Sequence, residues 1–423
     1  VSVIHIAAVL LTLSALLGYL NHRFTPLPPT IGMMVMGLFA SLGVVAVDHF
    51  LPGLGIAATM RSFVGQIDFD RTLMEGMLSV LLFAGALHVN VDDLMERGAA
   101  IGALATVGVV VSTAVVGVLA YAVLAAVGHP VPLAWCFVFG ALISPTDPIA
   151  VLGILKTAGA SRTLSAKITG ESLLNDGVGV VVFTAMLAVA GAGGHGPGAE
   201  TELVDIAVLF VEEVAGGALL GLAAGYAAYR MMRSIDHFPL EVLITVALVL
   251  GTYSLAGALH VSGPIAVVVA GILTGNHGKR MAMSDATADH VASFWTLNDE
   301  ILNAVLFLLI GMEVLAVNLE PSHLLAGALL VPVCLLARLV SVAAPISLLG
   351  LWRDYSRGTI PVLTWAGLKG GISIALALSL PPFPDKTLIV TGTYVVVLFS
   401  IVVQGLTIGR VVGWVHRSEG AEP

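Results

Sequence analysis

Apolar runs of about twenty residues follow one another from one end of this chain to the other, and about twenty residues is what a helix needs to cross a bilayer core of about 30 Å. They lie near residues 3–20, 31–48, 73–90, 98–127, 134–156, 167–190, 204–229, 239–259, 262–276, 293–316, 323–350, 359–380 and 388–413. The expected fold is therefore an all-α polytopic membrane protein of about thirteen transmembrane helices. Only 11% of the 423 residues are charged, against about 25% in a soluble domain, so a soluble enzyme is excluded. No Ser or Cys sits in a nucleophilic motif with a nearby His, and no His, Cys and carboxylate set has metal-ligand spacing. A net charge of −9 without a concentrated basic patch argues against a nucleic-acid partner. Cys136 and Cys334 lie inside apolar runs and read as buried free thiols.

The basic residues orient the bundle. With the N-terminus outside and the C-terminus cytoplasmic, thirteen of the 18 Lys and Arg, among them Arg23, Arg97, Lys156, Arg230 and Arg353, fall on inside connections. The outside connections hold Arg61, Arg71 and Lys386, and Arg338 and Lys369 lie within spans. The connections are too short for a further core, so residues 1–423 read as one membrane domain with a short cytosolic tail at 414–423.

Ionisable groups inside a span cost about 2.5–3.5 kcal/mol each on insertion scales, so each needs a reason. The fifth run contains Ser144-Pro145-Thr146-Asp147-Pro148 at its middle. Each proline removes an N–H and disfavours the helical conformation of the residue before it, so Ser144 and Asp147 are expected to be extended and the helix broken. A simple kink, with Asp147 neutralising positive half-helix ends, is the plainer alternative. The sixth run contains Glu171-Ser172-Leu173-Leu174-Asn175-Asp176-Gly177, with Asp176 about nine residues, roughly 14 Å, from Lys167. Ser172 and Asp176 share one helix face, as do Glu171 and Asn175. A carboxylate and a hydroxyl opposite broken backbone form a hard-oxygen site suited to a desolvated monovalent cation; a polar helix-packing cluster is the alternative. Arg338 needs a carboxylate or carbonyls, and Glu171 is the candidate partner, with a purely structural pair equally open. In the twelfth run, Gly367-Leu368-Lys369-Gly370-Gly371 suggests a second broken helix, with Lys369 offsetting a negative half-helix end, or glycine packing with a snorkelling lysine. Asp299, Glu300, Asn303, His88, His5 and His260 are weaker candidates near span ends.

Taking six spans on each side of a linking helix at about 204–230 gives repeats at about 1–190 and 239–413 of opposite orientation. The two broken runs then occupy equivalent positions, as in transporters built from inverted six-helix repeats with two broken crossing helices.

These strings, Ser144 to Pro148, Glu171 to Gly177 and Gly367 to Gly371, together resemble the monovalent cation:proton antiporters of the sodium/proton exchanger type, in the NhaP-like branch. The resemblance implies a homodimer of thirteen-helix protomers in a bacterial plasma membrane, each with a dimerisation region and a six-helix ion-carrying core, without cofactor. It implies that Asp176 binds the ion and the proton beside Asn175, that Asp147, Ser172 and the Thr146 main-chain oxygen surround the monovalent cation, and that Glu171 and Arg338 form a salt bridge. Lys369 stands where the family often has Arg, and Ala84 where some relatives have a Glu at the cation site. The implied activity is exchange of Na+, Li+ or K+ for H+ by alternating access, one for one if a single carboxylate titrates. K+/H+ exchange, electrogenic exchange and a gated cation channel are the alternatives.

Overall fold

Backbone polar groups in hydrocarbon have to be satisfied within the chain, and among the described residues this is done by helices and turns, without a strand. The computed structural model describes residues 3–25, 27–50, 72–148, 162–191, 203–278, 282–315, 320–350 and 358–419, with 60, 69 and 151 between them. The first elements are α1 (Val3–Phe24), α2 (Pro29–Phe50), a π turn at Thr72–Met77 leading into α3 (Leu78–Leu87), α4 (Val91–Ala105), α5 (Val107–Ala126) and α6 (Leu133–Ile143). There follow α7 (Arg162–Val189), α8 (Leu203–Met232), α9 (Phe238–Ala258), α10 (Gly263–Leu273) and α11 (Asp285–Met312). The last are α12 (Pro321–Leu349), α13 (Thr359–Ala366), α14 (Gly371–Leu378), α15 (Lys386–Phe399) and α16 (Gly405–Glu419). Among the described residues, 8 helices are long and apolar enough to span a membrane, and α13 with α14 makes a further span bent by 48°. Shorter apolar stretches occur at Thr72–Leu87, Leu133–Ile143 and Gly263–Asn276.

Each apolar run of the sequence contains a helix, and three departures from the expected runs have a visible cause or extent. The fourth run is interrupted at Thr106, whose hydroxyl donates to Gly102 O at 2.6 Å and competes with the helix for its own backbone. α11 begins at Asp285, two turns before the apolar run, because Ser284 caps it by accepting from the Thr287 N–H. The tail expected from 414 is helical through Glu419. The tail's last four residues, like Arg61, Arg71, Lys156 and Arg353, lie outside the described residues.

Small residues let the helices approach. A Cβ on Gly311 of α11 would come within 2.5 Å of the Met34 carbonyl of α2. The main apolar cluster joins α5, α6 and α7 to α11, α12, α14 and α15, and a second gathers Phe83, Met232, Leu248 and Trp295. In the second, Trp295 stacks obliquely on Phe83, centroids 4.8 Å apart, and its indole N–H donates to Thr245 Oγ1 at 2.9 Å. Phe39, Leu219, Leu243 and Leu348 are exposed, as a lipid-facing surface requires.

Candidate ion-binding site

α6 stops at Ile143 with Ser144 as its cap, and residues 145–148 are not helical. The expectation that Ser144 is extended is corrected: its φ of −72° and ψ of −39° are helical. Its hydroxyl donates to Gly140 O at 2.7 Å and holds the last turn closed despite the following proline. The break comes one residue later, at Pro145. Beyond it, the Asp147 N–H donates to Leu368 O at 2.8 Å, so the first interrupted segment is bonded to the second.

The second interruption runs from Gly367 to Gly370 between α13 and α14. Lys369 is 5% exposed, and its ammonium donates to Ser144 O at 2.9 Å and Pro145 O at 3.3 Å. It therefore offsets the negative end of α6, across the crossing, rather than an end of its own helix. The Lys369 N–H donates to Ser400 Oγ, Ser400 donates to Gln404 Oε1, and the Gln404 amide donates to Trp365 O. Gly370 packs against the Asp147 side chain so closely that a Cβ there would overlap the carboxylate. Asp147 thus sits at the positive N-terminal end of α14. The two breaks clasp each other: carbonyls against an ammonium on one side, a carboxylate against a helix N-terminus on the other.

α7 supplies the third wall. Asn175 Oδ1 accepts from the Thr146 N–H at 3.3 Å, and its Nδ2 donates to Thr146 Oγ1 at 2.7 Å. Thr146 Oγ1 also lies 3.0 Å from Ser172 Oγ. Gly179 leaves room for the Pro145 ring against α7. Thr146, Ser172 and Asn175 are all buried, and Asp176, 6% exposed, lies beside them with Asp147 and Lys369 as the charges acting on it. Among the described residues the Asp176 carboxylate takes no direct hydrogen bond or ion pair.

Glu171 pairs with α12 instead of Thr146. Its Oε1 lies 2.5 Å from Arg338 Nη1, and Arg338 Nη2 donates to Leu363 O at 3.1 Å. The guanidinium passes over Gly367, where any side chain would meet it. Arg338 thereby ties α7 and α12 to α13.

Of the weaker candidates, His88 contacts Ala84 O and Thr296 Oγ1 at the end of α3, and Asp299, Glu300 and Asn303 line α11 nearby. His260 takes a left-handed φ of 55° after α9, remote from the crossing in sequence and bonded to Gly257 O as a helix end. Ser400, Gln404, Ser112 and Thr113 were not anticipated. The last two contact the Ser144 hydroxyl, at 2.9 and 3.3 Å. A Ser and a Gln four residues apart in the final apolar run were a legible signal.

A helix that ends at Pro145, bonded to a helix interrupted at Gly367–Gly370 beside a buried carboxylate, has the form of the discontinuous-helix class of secondary transporter. Residues 11–414 match the family described as sodium/hydrogen exchanger, transmembrane, and the chain belongs to that family. It is 47% identical to the Na+/H+ antiporter NhaP of Pseudomonas aeruginosa over 98% of this chain and 99% of that one. It is 34% identical to the Na+/H+ antiporter NhaH of Halobacillus dabanensis over 90% of each. In fold it is similar to the sodium proton antiporter MjNhaP1 of Methanocaldococcus jannaschii, with a TM-score of 0.72 at 17% identity over 96% of each chain.

Proposed function

We propose that this chain is a secondary active antiporter that exchanges Na+ for H+ across a bacterial plasma membrane by alternating access. Similarity to relatives named Na+/H+ antiporters, over nearly their whole length, supports the reaction. The observation that carries the site is Asp176: Glu171, Arg338 and Lys369 each have a partner, whereas Asp176 lies beside the crossing with no direct one among the described residues. In this reading its carboxylate takes either one proton or one cation. Ser172, Thr146 through its main-chain oxygen, and Asp147 complete the cation's oxygen shell, and Asn175 fixes the Thr146 segment. Only the loaded, neutralised core crosses, because an empty carboxylate in hydrocarbon is expensive to move.

The same proposal takes the protein as a homodimer with the N-terminus outside and the C-terminus cytoplasmic. It takes the chain as inverted repeats at about 1–190 and 239–413 joined by a helix at about 204–230, with about thirteen spans in all. One titrating carboxylate gives one proton per Na+, an electroneutral exchange that serves pH homeostasis without cofactor. A second reading, electrogenic or K+-coupled exchange, draws on the influence of Asp147 upon Asp176, which brings a second carboxylate to the site. The test is Asp176→Asn in proteoliposomes. It is expected to fold and to move no protons under a Na+ gradient; retained Na+-driven proton movement would overturn the assignment.

A further inference from the structure

α11 carries a polar ladder that the crossing does not use. Thr296, Asp299 and Asn303, spaced three and four apart, share one helix face. The face deepens along the helix: Thr296 is exposed, Asp299 is partly buried, and Asn303 is 2% exposed. At its outer end Thr296 Oγ1 lies 3.2 Å from His88 Nε2, which ties the ladder to the end of α3, while the Thr296 hydroxyl donates to Ala292 O at 2.8 Å. The titratable groups near Asp299 include His88 and Glu300.

Asn303 is the informative residue. Both its amide oxygen and its amide nitrogen are buried, and among the described residues neither has a hydrogen-bond partner of full geometry. The side chain interacts with the Asp299 carboxylate without reaching full hydrogen-bond geometry. Leaving a buried amide unbonded costs about 1–3 kcal/mol, which is unfavourable unless a ligand uses the group. One turn further on, Leu306 of α11 packs on Gly371, 2.7 Å from where a Cβ would stand, at the N-terminus of α14 next to Gly370 and Asp147. The ladder therefore leads from the exposed end of α3 to the edge of the crossing, and Leu306 separates the two.

We propose that Asp299 and Asn303 form a second, weaker site for a partly hydrated monovalent cation, a staging position between the face where α11 begins and the crossing. The Asp299 carboxylate supplies charge, the Asn303 amide oxygen a neutral donor, and Thr296 the rim. These are the hard oxygen ligands that an alkali cation prefers, and the partial exposure of Asp299 leaves room for retained water. The site lies on α11, whereas the crossing is built from α6, α7, α13 and α14. The inference rests on the antiporter reading for its purpose, but its binding chemistry is separable from transport.

The test is Na+ binding to the purified full-length protein, followed by the relaxation of the sodium nucleus, in an Asp176→Asn background that removes the crossing site. That protein is expected to retain weak Na+ binding. Adding Asp299→Asn or Asn303→Leu should weaken it roughly five- to tenfold, the effect of removing a charge or a donor from a partly solvated site, whereas Asp299→Glu should retain it. Thermal stability close to that of the parent verifies that each variant is folded. Residual Na+ binding that is absent at the outset, or unchanged by Asp299→Asn, would overturn the proposal. Exchange by the unaltered protein in vesicles is measured separately, and its absence would count against the antiporter reading alone.

Discussion

Arg338 shows what a permanent charge demands of an apolar bundle. It cannot shed its proton, so it must bring acceptors with it, and it has both the Glu171 carboxylate and the Leu363 carbonyl. Arg338→Ala should strand a Glu171 that is 1% exposed, and truncating one partner of a buried pair costs about 3–5 kcal/mol. The expected outcome is a markedly lower melting temperature in detergent; stability close to the parent's would show that the pair is dispensable. Asn175→Ala should act more locally. It removes both bonds to Thr146 and leaves a buried N–H unpaired, for about 1–3 kcal/mol, with weakened apparent Na+ affinity as the functional readout. At this scale the sequence is informative about identity and much less so about partnership. Asp176, Glu171, Arg338 and Lys369 stand out because each interrupts an apolar run. The acceptors of Lys369, however, are the carbonyls of Ser144 and Pro145, and a carbonyl carries no signature in the sequence.

The elements divide in the same way. Both interruptions are visible in sequence because proline and glycine act locally: Pro145 has no N–H to continue α6, and Gly367 and Gly370 leave space for Arg338 and Asp147. The break at Thr106 and the π turns at Thr72–Met77, Thr274–Gly278 and Ser400–Gln404 leave no mark on apolar length, the only signal that reading uses. The helical Ser144 also escaped it, since a hydroxyl bond to Gly140 outweighs the preference imposed by Pro145. Lys386, counted as a loop residue, donates to the carbonyls of Leu378 and Leu380 and closes the end of α14. Gly370 tests the crossing as an element. Gly370→Ala should displace the Asp147 carboxylate and impair exchange severely, whereas Gly251→Ala in α9, where a Cβ meets nothing within 4 Å, should be neutral or stabilising by about 0.5–1 kcal/mol. Equal effects of the two substitutions on transport would mean that the close contact at the crossing is incidental.

For the whole molecule, the central proposal is that one carboxylate serves both ions, and its consequences are kinetic. If one Na+ exchanges for one proton, no net charge crosses, and the initial rate should not respond to an imposed membrane potential. A clear response would favour the electrogenic reading, with Asp147 titrating as well. The most direct measurement is the initial exchange rate against Na+ concentration at several symmetrical pH values in proteoliposomes. Because the cation binds only the deprotonated fraction of Asp176, its apparent constant is the intrinsic one divided by that fraction. Each unit fall in pH below the site's pKa should therefore raise the apparent Na+ constant about tenfold, while saturating Na+ restores the maximum rate. An apparent constant that stays flat as the maximum rate collapses in acid, beyond rescue by Na+, would mean separate proton and cation sites and would contradict the proposal.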